Sequence, residues 1–204
     1  MKKFFSGLNP YEMSLIPMMF SLPLLLPSLL FISVPPLDRM FYFYFVASLP
    51  LNALCIILYM SAIKHSPLSL TLPYLAFSPV FMIISGFLLL GEIPTTSGLT
   101  GIIIVCSGAY ILNLQDGINH FFEPVKALAN EKGSRIMICV AFLFSIAAPV
   151  GKKGILHSSP EFFSVTFFIA LPFFLSLCFF RQPSLKRIFS KPYAGAGAGF
   201  FFFG

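Results

Sequence analysis

Tryptophan is absent from this chain of 204 residues, and charge is scarce: Asp, Glu, Lys and Arg make up only 10%. Soluble domains carry about 25% charged residues, so this chain cannot cover a water-facing surface, and a soluble globular protein is excluded. Four chemical signatures are also missing. There is no GxxxxGK[ST] loop, no HExxH, no GxSxG and no paired-carboxylate motif. The chain therefore carries no ATP-driven machinery of its own, and an enzyme reading has no support. The cysteines Cys55, Cys106, Cys139 and Cys178 form no CxxC and stand beside no histidine pair. Each lies in an apolar run and reads as a small hydrophobe, with no metal or cofactor implied. No cluster of Lys and Arg with interleaved aromatics is present, which argues against a nucleic-acid partner. The first apolar run is long, is preceded by Glu12 and ends on no small-x-small site, which argues against a cleaved signal peptide.

What remains is apolar. Hydrophobic residues reach 57%, with 27 Phe, and the mean hydropathy is +0.91. The lipid bilayer is the solvent this composition demands. A helix crosses its hydrocarbon core with roughly 17–25 residues. Six runs approach that length: Met13–Ser33, Phe41–Ile63, Leu68–Leu90, Gly98–Leu114, Ile136–Val150 and Phe162–Phe180. The fifth is short and needs residues from its flanks. Backbone groups in lipid must pair internally, and continuous apolar runs without strict alternation point to helices. Tyr11, Tyr42, Tyr44, Tyr59 and Tyr110 fall near span ends, where a ring with a polar tip belongs. The expected fold class is all-α: a polytopic membrane protein of six transmembrane helices with a partial seventh opening in the Ala/Gly- and Phe-rich stretch from Tyr193.

A short pattern occurs twice. Lys2-Lys3 precedes Pro10 and Leu22-Pro23; Lys152-Lys153 precedes Pro160 and Leu171-Pro172. The offset is 150 residues for the lysines and 149 for the Leu-Pro pair. A duplicated membrane domain is a signature of many secondary transporters. Gln115 to Ser134 is the one long polar segment, so the expected organisation is a first repeat over 1–114, a loop over 115–134 and a second repeat over 135–204. The second copy has an apolar span before its lysines, Ile136–Val150, and the first has none. The second stops before matching Phe41–Leu114. The expectation is a chain incomplete at both ends.

Charge placement bears on orientation. Lys2, Lys3, Lys64, Lys126, Lys132, Arg135, Arg181, Lys186, Arg187 and Lys191 fall at the start and in even-numbered loops, against Arg39, Lys152 and Lys153 in odd ones. By the positive-inside rule this favours a cytoplasmic N-terminus.

The third span is the most unusual. Pro73 and Pro79 each remove a backbone donor, freeing the carbonyls of Ser69 and Leu75. Thr71, Ser78 and Ser85 recur every seven residues and share a helix face, with Tyr74 beside it. A broken helix with a polar stripe lines a substrate cavity in some carriers; hydroxyls that satisfy freed carbonyls and permit close helix packing are the plainer reading. The helix is expected to bend at Pro73 or Pro79. Asn52, two residues after Pro50, either meets a substrate or bridges two helices. Glu92 stands at a span end, where a lone carboxylate is more often structural. Small residues Gly101 and Gly108 suit helix contact.

These pieces together resemble a known family. Ala62-Ile63 leading to Ser66-Pro67, Ser78-Pro79-Val80-Phe81, Leu90-Gly91-Glu92, then Gly98, Gly101 and Gly108-Ala109-Tyr110 are similar to the end of the first repeat of EamA-type transporters, in the drug/metabolite transporter superfamily. Residues Gly133 to Pro160 resemble the start of the second repeat. The resemblance implies ten helices in two inverted five-helix repeats, moving small metabolites or drug-like solutes by alternating access, in the plasma (inner) membrane. On that implication, the chain is expected to lack the family's first helix and its last three. The family arrangement also puts Lys2-Lys3 outside, opposite to the charge bias. From the resemblance and the polar residues, the solute-pathway candidates are Asn52, Thr71, Pro73, Tyr74, Ser78, Pro79, Ser85 and Glu92. The expected partners are the bilayer, a small-molecule solute and, because polar faces stay uncovered, further copies of the chain. A non-transporting product that at most assembles with other subunits is the alternative.

Overall fold

The structure is a computed structural model and describes residues 8–112 and 130–178. Among these, every regular element is a helix: α1 Pro10–Ser28, α2 Arg39–His65, α3 Leu68–Leu75, α4 Ser78–Leu90, α5 Thr96–Leu112, α6 Lys132–Leu156 and α7 Pro160–Cys178.

The helix ends follow local chemistry. α1 starts on Pro10, whose missing N–H costs nothing in a first turn, and the Asn9 N–H donates to Glu12 Oε2 at 2.8 Å. At the start of α2, the Phe41 N–H donates to Asp38 Oδ1 at 2.9 Å. α4 stops at Gly91, whose φ of 69° is the left-handed conformation glycine adopts without steric cost. The two copies of the Pro…Leu-Pro pattern fall on helices of equal length: α1 and α7 both begin on proline and both run 19 residues.

Four apolar stretches are long enough to cross a membrane: Arg39–His65, Leu68–Leu90, Lys132–Leu156 and Pro160–Cys178; Thr96–Leu112 is apolar but shorter. The described residues thus form an all-helical polytopic membrane protein. The short fifth run does recruit its flanks, growing into the 25 residues of α6. α1 is less apolar than the sequence run suggests, because it starts at Pro10, takes in Glu12, and ends at Ser28 before the apolar residues 29–32. The partial seventh helix lies outside the described residues. Large apolar side chains face outward in numbers that water would penalise, among them Leu30, Phe31, Leu88, Ile104, Leu112 and Leu177; a hydrocarbon surround removes that penalty.

The described residues form two compact units: those up to 57 with those from 151, and those between 58 and 150. α2 and α6 each contribute to both. The first unit packs α1 on α7 and joins them by a hydrogen bond from the Tyr11 hydroxyl to the Leu175 carbonyl at 3.1 Å. Its other contacts are aromatic. Phe45 meets Phe163 and Phe167 edge-on, Phe163 and Phe167 stack at 5.7 Å, and Phe41 lies against Phe162 and Phe163. Gly154 makes room for this cluster, since a Cβ there would stand 2.4 Å from the Phe163 ring.

The second unit is built on closer backbone approach. Ala62, Tyr74, Met137 and Val140 form a buried cluster, with Leu58, Ile63, Phe77 and Phe144 around it. Gly133 lies so near α2 that a Cβ would stand 2.5 Å from Ser66 and 2.9 Å from the Ala62 carbonyl oxygen. The Ser66 hydroxyl donates to Glu131 Oε2 at 2.8 Å and accepts the Gly133 N–H at 3.2 Å.

Candidate functional site

The Leu68–Leu90 run carries most of the candidate residues, and it is broken in mid-course. α3 ends at Leu75, Ala76 and Phe77 form a turn, and α4 begins at Ser78. Pro79 explains the place. It has no N–H to give the Leu75 carbonyl, and its ring excludes the normal i−4 contact. Around the break the ladder changes to i−3 bonds, from the Ala76 N–H to the Pro73 carbonyl and from the Phe77 N–H to the Tyr74 carbonyl, each 3.2 Å. The Ala76 carbonyl also meets the Cys106 thiol of α5 at 3.6 Å. Pro73 is accommodated inside α3 without ending it.

Of the face expected to be polar, Thr71, Tyr74 and Ser85 are buried, while Ser78 and Pro79 at the head of α4 and Pro73 are half-buried. The hydroxyls do not go to the carbonyls that the prolines free. Thr71 donates to the Pro67 carbonyl at 3.1 Å, one turn back. Ser85 donates across to the Ser145 carbonyl of α6. This bond joins two helices, as membrane hydroxyls commonly do. Tyr74 lies in the buried cluster against α6, with Ser134 beside its phenol. Six of the candidates are thus on this one broken run, and two of them, Tyr74 and Ser85, are fixed against α6.

The other candidates stand apart. Asn52 belongs to the first unit, is half-buried, and donates to the Ser48 carbonyl of its own helix at 2.9 Å. Glu92 is exposed in the connection after α4.

Of the buried polar residues outside the candidate set, Glu12 and Ser134 each keep a side-chain oxygen without a hydrogen-bond partner among the described residues. Glu12 is 1% exposed; its Oε2 takes the Asn9 N–H, and its Oε1 has no hydrogen-bond partner among the described residues. The Asn9-Pro-Tyr-Glu12 spacing of a helix-start capping pair was the signal for its backbone role, and nothing local signals its burial. Ser134 is fully buried, and its hydroxyl has no hydrogen-bond partner among the described residues; no sequence motif marks it. No group of three or more His, Cys, Asp or Glu capable of holding a metal occurs among the described residues.

The model of the EamA-like transporter family matches residues 1–114, more than half of the 204 residues. The chain belongs to the EamA-like transporter family. The matched residues hold α1 through α5 of this EamA-like chain, the broken Leu68–Leu90 run included. It is therefore an integral membrane protein of a family of transporters, not of enzymes. No curated protein and no solved structure matches it.

Proposed function

We propose that this EamA-like chain moves small metabolites or drug-like solutes by alternating access, with the broken Leu68–Leu90 element lining the solute's path. The observation that supports this is the break itself. A membrane-length run interrupted at Ala76–Phe77 leaves backbone polar groups at depth, and non-helical backbone at depth is tolerated only where protein or a water-filled cavity meets it. Ser78 and Pro79 open the second half of the run, and Thr71 and Tyr74 close the first. These side chains offer hydroxyl donors and acceptors but no charge, which suits neutral, zwitterionic or amphipathic solutes. In this reading residues 1–114 act as one repeat, 115–134 as the connection and 135–204 as part of another. Copies of the chain associate in the plasma membrane to cover the polar faces that one copy leaves open.

Reconstitution tests this. The purified 204-residue chain in liposomes should give saturable flux of at least one solute from a panel of amino acids, nucleosides and amphipathic amines. Thr71→Ala combined with Ser78→Ala should weaken solute binding about tenfold or less per lost hydrogen bond. Flux indistinguishable from empty liposomes across the panel would count against it.

A further inference from the structure

Two segments outside the spans meet through a histidine. Asp38 lies just before α2 and His157 just after α6, 119 residues apart. His157 Nδ1 stands 2.7 Å from Asp38 Oδ2. The imidazole also stacks on Tyr44, with ring centroids 6.0 Å apart and planes inclined by 18°. Lys153, one turn earlier on α6, places its Nζ 5.4 Å from the Tyr44 ring centroid. Asp38 is fixed from its other oxygen by the Phe41 N–H. The carboxylate therefore has one oxygen on a helix start and the other on the imidazole.

We propose that Asp38, His157 and Tyr44 form a proton-sensitive latch that holds the segment before α2 against the end of α6 when the imidazole is protonated and loosens when it is neutral. The charged groups closest to its members in sequence are Arg39 beside Asp38, Lys152 and Lys153 on α6, and Glu161 in the first turn of α7. Histidine alone among these residue types ordinarily changes charge near neutral pH. Protonation adds an ion pair with Asp38 and turns the Tyr44 stack into a cation–π contact. The Phe41 N–H and His157 hold the Asp38 carboxyl below the usual carboxylate range, so the acceptor stays charged throughout. The latch ties the segment before α2 to the end of α6 within the first unit.

Hydrogen exchange of the amides from Val34 to Phe43 reads the latch directly, on the full chain in nanodiscs at about pH 5.5 and about pH 8.5, spanning the ordinary histidine range. After correction for intrinsic exchange, the wild type should exchange roughly two- to fivefold more slowly at the acid pH, the scale of an exposed ion pair. His157→Gln and Asp38→Asn should each abolish that difference, and His65→Gln should keep it. No acid protection in the wild type, or protection that survives His157→Gln, would overturn the latch. The readout needs no solute, so it stands or falls separately from the transporter reading.

Discussion

The two units reach stability by different routes. The first fills its interior with rings: Phe41, Phe45, Phe163 and Phe167 pack in stacked and edge-to-face pairs, and one hydroxyl, Tyr11, ties α1 to α7. The second brings backbones together through small and hydroxyl residues: Gly133 against Ser66 and Ala62, and Ser85 on the Ser145 carbonyl. In lipid, burying apolar surface between helices gains little, because the tails are as apolar as the side chains. Packing shape and interhelical hydrogen bonds then decide. Rings have adjustable neighbours, whereas a backbone contact does not, so the second unit should be the less forgiving of added volume.

The largest expected effect sharpens this contrast. Gly133→Ala forces a methyl into Ser66 and the Ala62 carbonyl, one of them fixed backbone, and should cost ~1–3 kcal/mol, the range of overpacking. Gly154→Ala meets only the Phe163 ring and should cost less. Thermal unfolding in one detergent ranks the pair; an equal or reversed order would break the comparison.

The interhelical hydrogen bonds come next. Tyr11→Phe removes the bond to the Leu175 carbonyl and should cost about 1 kcal/mol. Ser85→Ala should cost about 0.6 kcal/mol, the average for such bonds in a membrane. Denaturation in mixed micelles checks both, and a loss several times larger would mean the hydroxyl carries more than one helix contact.

These contacts also mark how far the sequence could be read. Span positions were legible because hydropathy reports them: Phe41–Ile63 lies within α2, and Leu68–Leu90 matches the observed run at both ends. A break at Pro73 or Pro79 was legible, since a missing N–H is a local property, and it falls before Pro79 while Pro73 is accommodated within α3. The destinations of the hydroxyls were not legible. Freed carbonyls are the natural local acceptors, but Thr71 is held by the carbonyl one turn back and Ser85 by a neighbouring helix. Glu12 stands beside an apolar run in the sequence, and only tertiary packing buries it. The Asp38–His157 contact joins residues 119 apart, beyond any periodic signal.

The smallest effect is a pH dependence in the first unit. The Asp38 carboxyl lies below its ordinary range, first through the Phe41 N–H and then through His157. Its contribution is present above the ordinary carboxylate range, about pH 4, and is lost as pH falls through the lowered folded value. Wild-type stability should therefore fall slightly more than that of Asp38→Asn on strong acidification. Equal acid sensitivity would remove this group from the account.

Labelling of engineered cysteines tests most directly whether the broken Leu68–Leu90 run faces a water-filled path. Ser78, half-buried at the head of α4, and Val80, on an outward-facing position of the same turn, are each replaced by cysteine in a background with Cys55, Cys106, Cys139 and Cys178 changed to alanine or serine. A membrane-impermeant thiol reagent is then applied from both sides of proteoliposomes. The account predicts that Ser78→Cys reacts and Val80→Cys does not. Reaction at Val80→Cys alone, or at neither position, would contradict it.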